Sequence, residues 1–209
     1  MQTLAVAYPY FDWRFHNRNP ELTDTARHEI ESVVGPIVEI GGPTERGFRL
    51  LQDLPILTSR PEITNVPDFF GTDPQKIDKL VDGMDMPYEE GSIGMFLASS
   101  LATVDFVKLN KTVDSADFEH EQKAWETHAD EEYQRILSDS EYNPTHNLRI
   151  GVLKEMTRVL RSDGLILFEA IGPQDIAVAS ALGHNVIQQS QAANGGAVYD
   201  CLFKKSSEL

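Results

Sequence analysis

Apolar residues recur along this chain at two alternating periods. "PIVEI" (36–40) is a short apolar run stopping at Gly41, and "SIGMFLASSL" (92–101) is apolar at consecutive positions, as in a strand buried on both faces. "LILFEAI" (165–171) predicts a further strand, reached from "LRIGVLKEMTRVL" (148–160), a helical pattern, through the turn "RSDG". "TERGFRLLQDL" (44–54) sets Phe48, Leu51 and Leu54 at helical spacing and stops at Pro55. The second strand is ambiguous, because "ILTS" and "EITNV" each sit between prolines; "KIDKLVD" leads into the third. Downstream, "PQDIAVASAL" predicts a helix, and "NVIQQS" and "AVYDCLFKK" predict two strands joined by "QAANGG" as an antiparallel hairpin. Upstream, "ELTDTARHEIESVVG" predicts a helix capped by Thr23 or Asp24, with Ala26, Ile30 and Val33 or Val34 on one face and Gly35 at its end.

Strands alternating with helices predict a doubly wound, mostly parallel sheet covered on both faces, hence an α/β/α sandwich of three layers. Two segments stand outside that alternation. Residues 1–35 hold an arm rich in aromatics ("YPYFDWRFHNRN") and the first helix, and residues 36–209 form the main domain, interrupted at about 105–148 by an insertion. Within 112–147 there are ten acidic residues against Lys123 and Arg135. Phe118, Trp125, Ala129, Tyr133, Ile136 and Leu137 fall on one stripe there, which predicts an amphipathic helix with a solvated acidic face.

The length of 209 residues suits one domain, and 41% hydrophobic residues fit an ordinary globular core. The net charge of −15 argues against nucleic acid and against anionic membranes, which are both held by Lys and Arg. A lone cysteine, Cys201, can form no internal disulfide and is expected as a buried thiol. The N-terminal stretch lacks a basic region, and Pro9, Asp12 and Arg14 interrupt its apolar run, so no signal peptide is expected. The reading is a cytoplasmic protein without a membrane span, its oligomeric state left open.

Three stretches carry candidate chemistry: "VEIGGPTERGF" (38–48), "LVDGMDMPYEEGSIGMFLASSL" (80–101) and "LKEMTRVLRSDGLILFEAI" (153–171). In this order they resemble the class I S-adenosylmethionine-dependent methyltransferases, in particular the small type 11 branch. There a Gly-rich turn follows the first strand, an Asp-x-x-x-x-Pro-aromatic run follows the third, and a helix ending R-V-L-x-x-G-G precedes the fifth. The matching residues are Asp82 to Tyr88 and Arg158 to Gly164, and the resemblance covers roughly residues 36–104 and 149–205. It implies a seven-stranded sheet with an antiparallel C-terminal hairpin and S-adenosylmethionine as cofactor.

By that resemblance Gly41 and Gly42 let backbone approach the cofactor, and Glu39 holds the turn or meets the methionine ammonium. Glu62, Asn65 or Asp68 accepts from the ribose, depending on which second strand is real. Asp82 accepts from the adenine amino group, Gly83 and Met84 lie against the ring, and Ser99 borders the methionine portion. Pro43 stands where the family has its second spaced glycine, which removes one N–H.

The implied reaction is methyl transfer to a small-molecule acceptor, neutral or cationic. A non-catalytic binding module on the same fold is the alternative, and a nicotinamide enzyme is disfavoured because Gly41, Gly42 and Gly47 lack the G-x-G-x-x-G spacing. No metal is implied: His120 and His128 are about 12 Å apart along one helix at 1.5 Å per residue. His16 and His146 are candidate bases for a hydroxyl acceptor.

Overall fold

The structure, a computed structural model, describes residues 21–43, 48, 50–51, 54–65, 74–99, 144–171, 173–191 and 199–207. Seven strands form one sheet among them: β1 (Ile37–Ile40), β2 (Glu62–Asn65), β3 (Lys79–Leu80), β4 (Ile93–Ser99), β5 (Leu160–Ile171), β6 (His184–Gln191) and β7 (Tyr199–Lys205). Their order is β3-β2-β1-β4-β5-β7-β6. The chain first winds outward from β1 to β3, then crosses to the other side of β1 for β4 and β5. These five strands are parallel to their neighbours, and β7 enters antiparallel between β5 and β6. This is the seven-stranded fold with an antiparallel final hairpin that the methyltransferase resemblance implied.

Both sheet faces are apolar because the central strands alternate between two buried sets. Val38, Ile40, Phe96, Ala98, Ile166, Phe168, Cys201 and Phe203 share one cluster with Val152, Leu153, Met156 and Val159 of α2 (Pro144–Val159) and Val178 and Ala179 of α3 (Pro173–Ala181). Ile37, Met95, Leu97, Leu165, Leu167 and Leu202 share the other with Ala26 and Ile30 of α1 (Asp24–Glu31). The side-chain period of 2 thus gives each face its own helix layer. Cys201 is fully buried, and burial pushes its thiol up to about 12, with Asp200 and Asp175 adding to it; it is the inert core thiol expected.

Thr23, rather than Asp24, caps α1, its Oγ1 accepting from the Ala26 N–H at 3.1 Å. Ser32 closes that helix, three residues before Gly35. Two other expectations change. The second strand is "EITN", and "ILTS" instead runs from the last residue of a 3-10 helix at Leu54–Ile56 into the bend that follows. Phe48 and Leu51 are buried as their spacing predicted, yet they belong to no α-helix: the Leu51 N–H closes a single turn on the Phe48 carbonyl. Burial of those two side chains explains their apolar spacing equally well without a helix. "RSDG" also differs from a simple turn. Leu160 pairs with Ile93 and Leu165 with Met95, so residues 161–164 bulge out of a strand that starts directly where α2 ends. The aromatic arm, the acidic stripe at 118–137 and residues 192–198 lie outside the described residues, while Gln191, the first of "QAANGG", ends β6.

Candidate functional site at the carboxyl edge of the sheet

In a doubly wound sheet, ligands gather where neighbouring strands lead the chain to opposite sides, at their carboxyl ends. Here that point lies between β1 and β4. The paired register of these strands ends at Ile40 and Ala98, so the next residues are Gly41 and Ser99. Both are candidate cofactor residues by the resemblance, and the register of β1 and β4 brings them side by side.

The turn after β1 is built by contacts to β2. The Thr64 hydroxyl donates to the Glu39 carbonyl at 2.7 Å, the Gly42 N–H donates to the Thr64 carbonyl at 3.0 Å, and Asn65 Nδ2 donates to the Gly42 carbonyl at 2.6 Å. Gly41 sits at φ 75°, in the left-handed region that disfavours side chains, and is half-buried. Gly42 is buried, and a Cβ there would lie 2.6 Å from the Glu39 carboxyl carbon. Glu39 is itself buried and folded under the turn. Of the two glycines, Gly41 is the one presented at the edge, and Gly42 is enclosed by Glu39 and Asn65.

Asn65 ends β2 with its amide turned to the neighbouring turn, while Glu62 begins that strand, at the opposite edge of the sheet. Glu62 there accepts from the Tyr88 hydroxyl at 2.5 Å, and burial, with the Glu62 carboxylate, pushes that hydroxyl's pKa upward. Glu62 is therefore removed from the ribose candidates by its place on the strand. Asp68 lies outside the described residues.

Asp82 stands just past β3, exposed, with Oδ1 accepting from the Met84 N–H at 2.9 Å and its carbonyl from the Asp85 N–H at 3.1 Å. Gly83 and Met84 follow it onto α2. A Cβ on Gly83 would come within 3.0 Å of Val152, and one on Gly151 within 2.6 Å of Met84 Cε. Glu155 Oε1 accepts from the Met86 N–H at 3.0 Å, and Arg158 Nη2 donates to the Met86 and Tyr88 carbonyls at 3.2 Å each. The second and third stretches of the resemblance thus meet as one physical unit, the loop at 82–88 held by Val152, Glu155 and Arg158. Sequence reasoning singled out Arg158 as a motif residue but gave Glu155 no role. Its signal was the i, i+3 spacing to Arg158.

Glu169 was also missed: it pairs in register with Ser99 and is buried at the end of an apolar strand, where an acid is conspicuous. His146 lies in the first turn of α2; His16, His120 and His128 are outside the described residues. Among the described residues no group of His, Cys, Asp and Glu could hold a metal ion. Among them, too, no helix is long and apolar enough to cross a membrane.

No family model matches the chain, and no curated protein matches its sequence. Solved structures are similar to it, and S-adenosylmethionine-dependent methyltransferases recur among them. One from Methanosarcina mazei is 9% identical with a TM-score of 0.47, covering 90% of this chain and all of the other. A TehB-like one from Corynebacterium glutamicum is 13% identical with a TM-score of 0.44 over 86% of each chain. The [4+2]-cyclase SpnF is 12% identical with a TM-score of 0.44, covering 86% of this chain and 78% of the other. Likeness at this level does not reach the chemistry.

Proposed function

We propose that this protein is an S-adenosylmethionine-dependent methyltransferase of a small-molecule acceptor. The observation that carries the reading is the switch point between β1 and β4, where left-handed Gly41 leaves β1 beside Ser99. The residues present fit such a cofactor. Gly41 offers backbone without a Cβ, for close approach of the amino acid end, and Asp82 offers an exposed carboxylate for the adenine amino group. Gly83 and Met84 would lie against the ring, Ser99 would border the methionine portion, and Asn65 and Asp68 are the remaining ribose candidates. Glu39 holds the turn from beneath. The cofactor would supply a methyl group on a cationic sulfur, already a good leaving group.

The chain's own task is then alignment and exclusion of water. For the latter we assign the aromatic arm and the acidic segment at about 105–148 as a lid, whose charge favours neutral or cationic acceptors in a cytoplasmic setting. A hydroxyl acceptor would require a base, for which His16 and His146 are the candidates. The enclosure of Gly42 by Glu39 and Asn65 favours a second reading, a binding module without turnover.

Calorimetric titration with S-adenosylmethionine, S-adenosylhomocysteine and NAD tests both. Binding of the first two and not of NAD is expected. Binding without conversion of S-adenosylmethionine, in the presence of a metabolite extract, would favour the module. Failure of all three to bind would reduce the Gly-Gly-Pro turn to a plain corner.

A further inference from the structure

The described part of the candidate site contains an element that the sequence motifs leave without a function: the face of α2 that carries Gly151, Glu155 and Arg158. These positions are i, i+4 and i+7, so they line up on one side of the helix. Each meets a different part of the loop after β3. Gly151 leaves room for the Met84 side chain, since a Cβ there would lie 2.6 Å from its Cε. Val152, beside it, packs on Gly83. Glu155 takes the Met86 N–H, and Arg158 takes the Met86 and Tyr88 carbonyls. The two ends of this clasp also hold each other, with Arg158 Nε 2.9 Å and Nη2 2.5 Å from the Glu155 carboxylate.

Neither Gly151 nor Glu155 is a cofactor contact in the reading above, yet together they hold the loop on which Asp82, Gly83 and Met84 are carried. We propose that Gly151 and Glu155 are positioning residues for the cofactor, acting through the Asp82–Met86 turn; this rests on the methyltransferase reading above. The loop needs such a mould. β3 contributes only Lys79 and Leu80 to the sheet, so the turn that follows has a two-residue edge strand behind it. On α2, an acceptor for one loop N–H, a donor to two loop carbonyls and one glycine seat supply what the short strand does not.

The test combines S-adenosylhomocysteine calorimetry, amide hydrogen exchange and thermal melting on full-length variants. Glu155→Ala is expected to lose about ten-fold in affinity and to speed exchange at residues 83–88, with β4 and β5 amides unchanged. Glu155→Gln keeps an acceptor for the Met86 N–H and should recover most of that loss. Gly151→Ala separates positioning from stability, and it carries the test if Glu155→Ala fails to fold. Alanine favours the helix by about 1 kcal/mol over glycine, so the melting temperature should hold or rise. Its Cβ displaces Met84, so affinity should fall about three-fold or more. Wild-type affinity in both Glu155→Ala and Gly151→Ala, with wild-type binding intact, would overturn the positioning role alone. So would losses that track the melting temperature across all three variants. No binding to the wild type would overturn the cofactor reading itself, and the positioning role with it.

Discussion

His184 and Thr157 meet side chain to side chain, Nε2 2.9 Å from Oγ1, in a site where the imidazole is only 2% exposed. They lie at the amino edge of the sheet, where β6 begins and α2 ends, away from the candidate site. Burial lowers the His184 pKa to about 4, and the nearby Lys205 ammonium adds to the shift. The folded chain thus refuses a proton that the unfolded chain accepts near pH 6.5. The resulting stability is fully present above pH 6.5 and is lost as pH falls from there towards 4, by at most about 1.4 kcal/mol per pH unit. His184→Gln can still reach Thr157 but does not titrate. Urea midpoints measured from pH 7.5 to 4 should fall less steeply for this variant, and parallel curves would refute the assignment.

Gly41 is predicted to be intolerant of any side chain. At φ 75° a Cβ costs about 1–2 kcal/mol before ligand is considered. Gly41→Val should therefore lower stability by that amount or more, and abolish S-adenosylhomocysteine binding. A stable variant that binds normally would show that the turn re-forms elsewhere and is no cofactor contact.

Asp82 has two separable duties under the proposed function. Its Oδ1 holds the Met84 N–H, which asparagine can also do, whereas only a carboxylate oxygen on the other side can accept from an adenine amino group. Asp82→Asn should melt like the wild type and lose about 1–3 kcal/mol of S-adenosylhomocysteine affinity. Equal affinity in Asp82→Asn and wild type would leave Asp82 as a turn residue only.

Phe203 should be among the most sensitive core positions. It is fully buried on β7 and meets Phe168 edge to face, at 6.3 Å between centroids and 81° between planes. Phe203→Ala is expected to cost about 3–5 kcal/mol in chemical denaturation. A loss under 1 kcal/mol would mean that the two helices on this face close the cavity.

The sheet was legible because its signals are redundant. Met95, Phe96, Leu97 and Ala98 are buried in succession, and a strand between two helix layers places every side chain of such a run out of water. The helix expected at 44–54 was less secure, since Phe48 and Leu51 satisfy a helical period and a single buried turn alike. For the site, a motif fixes where a residue stands on a strand but not what covers it. Gly41 and Gly42 read identically in the sequence, and it takes the left-handed backbone of Gly41 and the enclosure of Gly42 by Glu39 and Asn65 to distinguish them. Glu155 escaped notice because its partner is a backbone N–H 69 residues away, which no side-chain pattern records.

The placement of β7 makes two other strands depend on it. β6 precedes it in the chain but lies outside it in the sheet, so among the described residues β6 joins the sheet through residues 199–205. Without them, β5 presents an unpaired backbone edge of apolar residues, Leu165 to Phe168. Such an edge is a template for pairing with another chain. A chain cut short of Tyr199 would be expected to aggregate rather than to fold into a smaller sheet, and lesions in the last strand should show up as insolubility before they show up as lost activity.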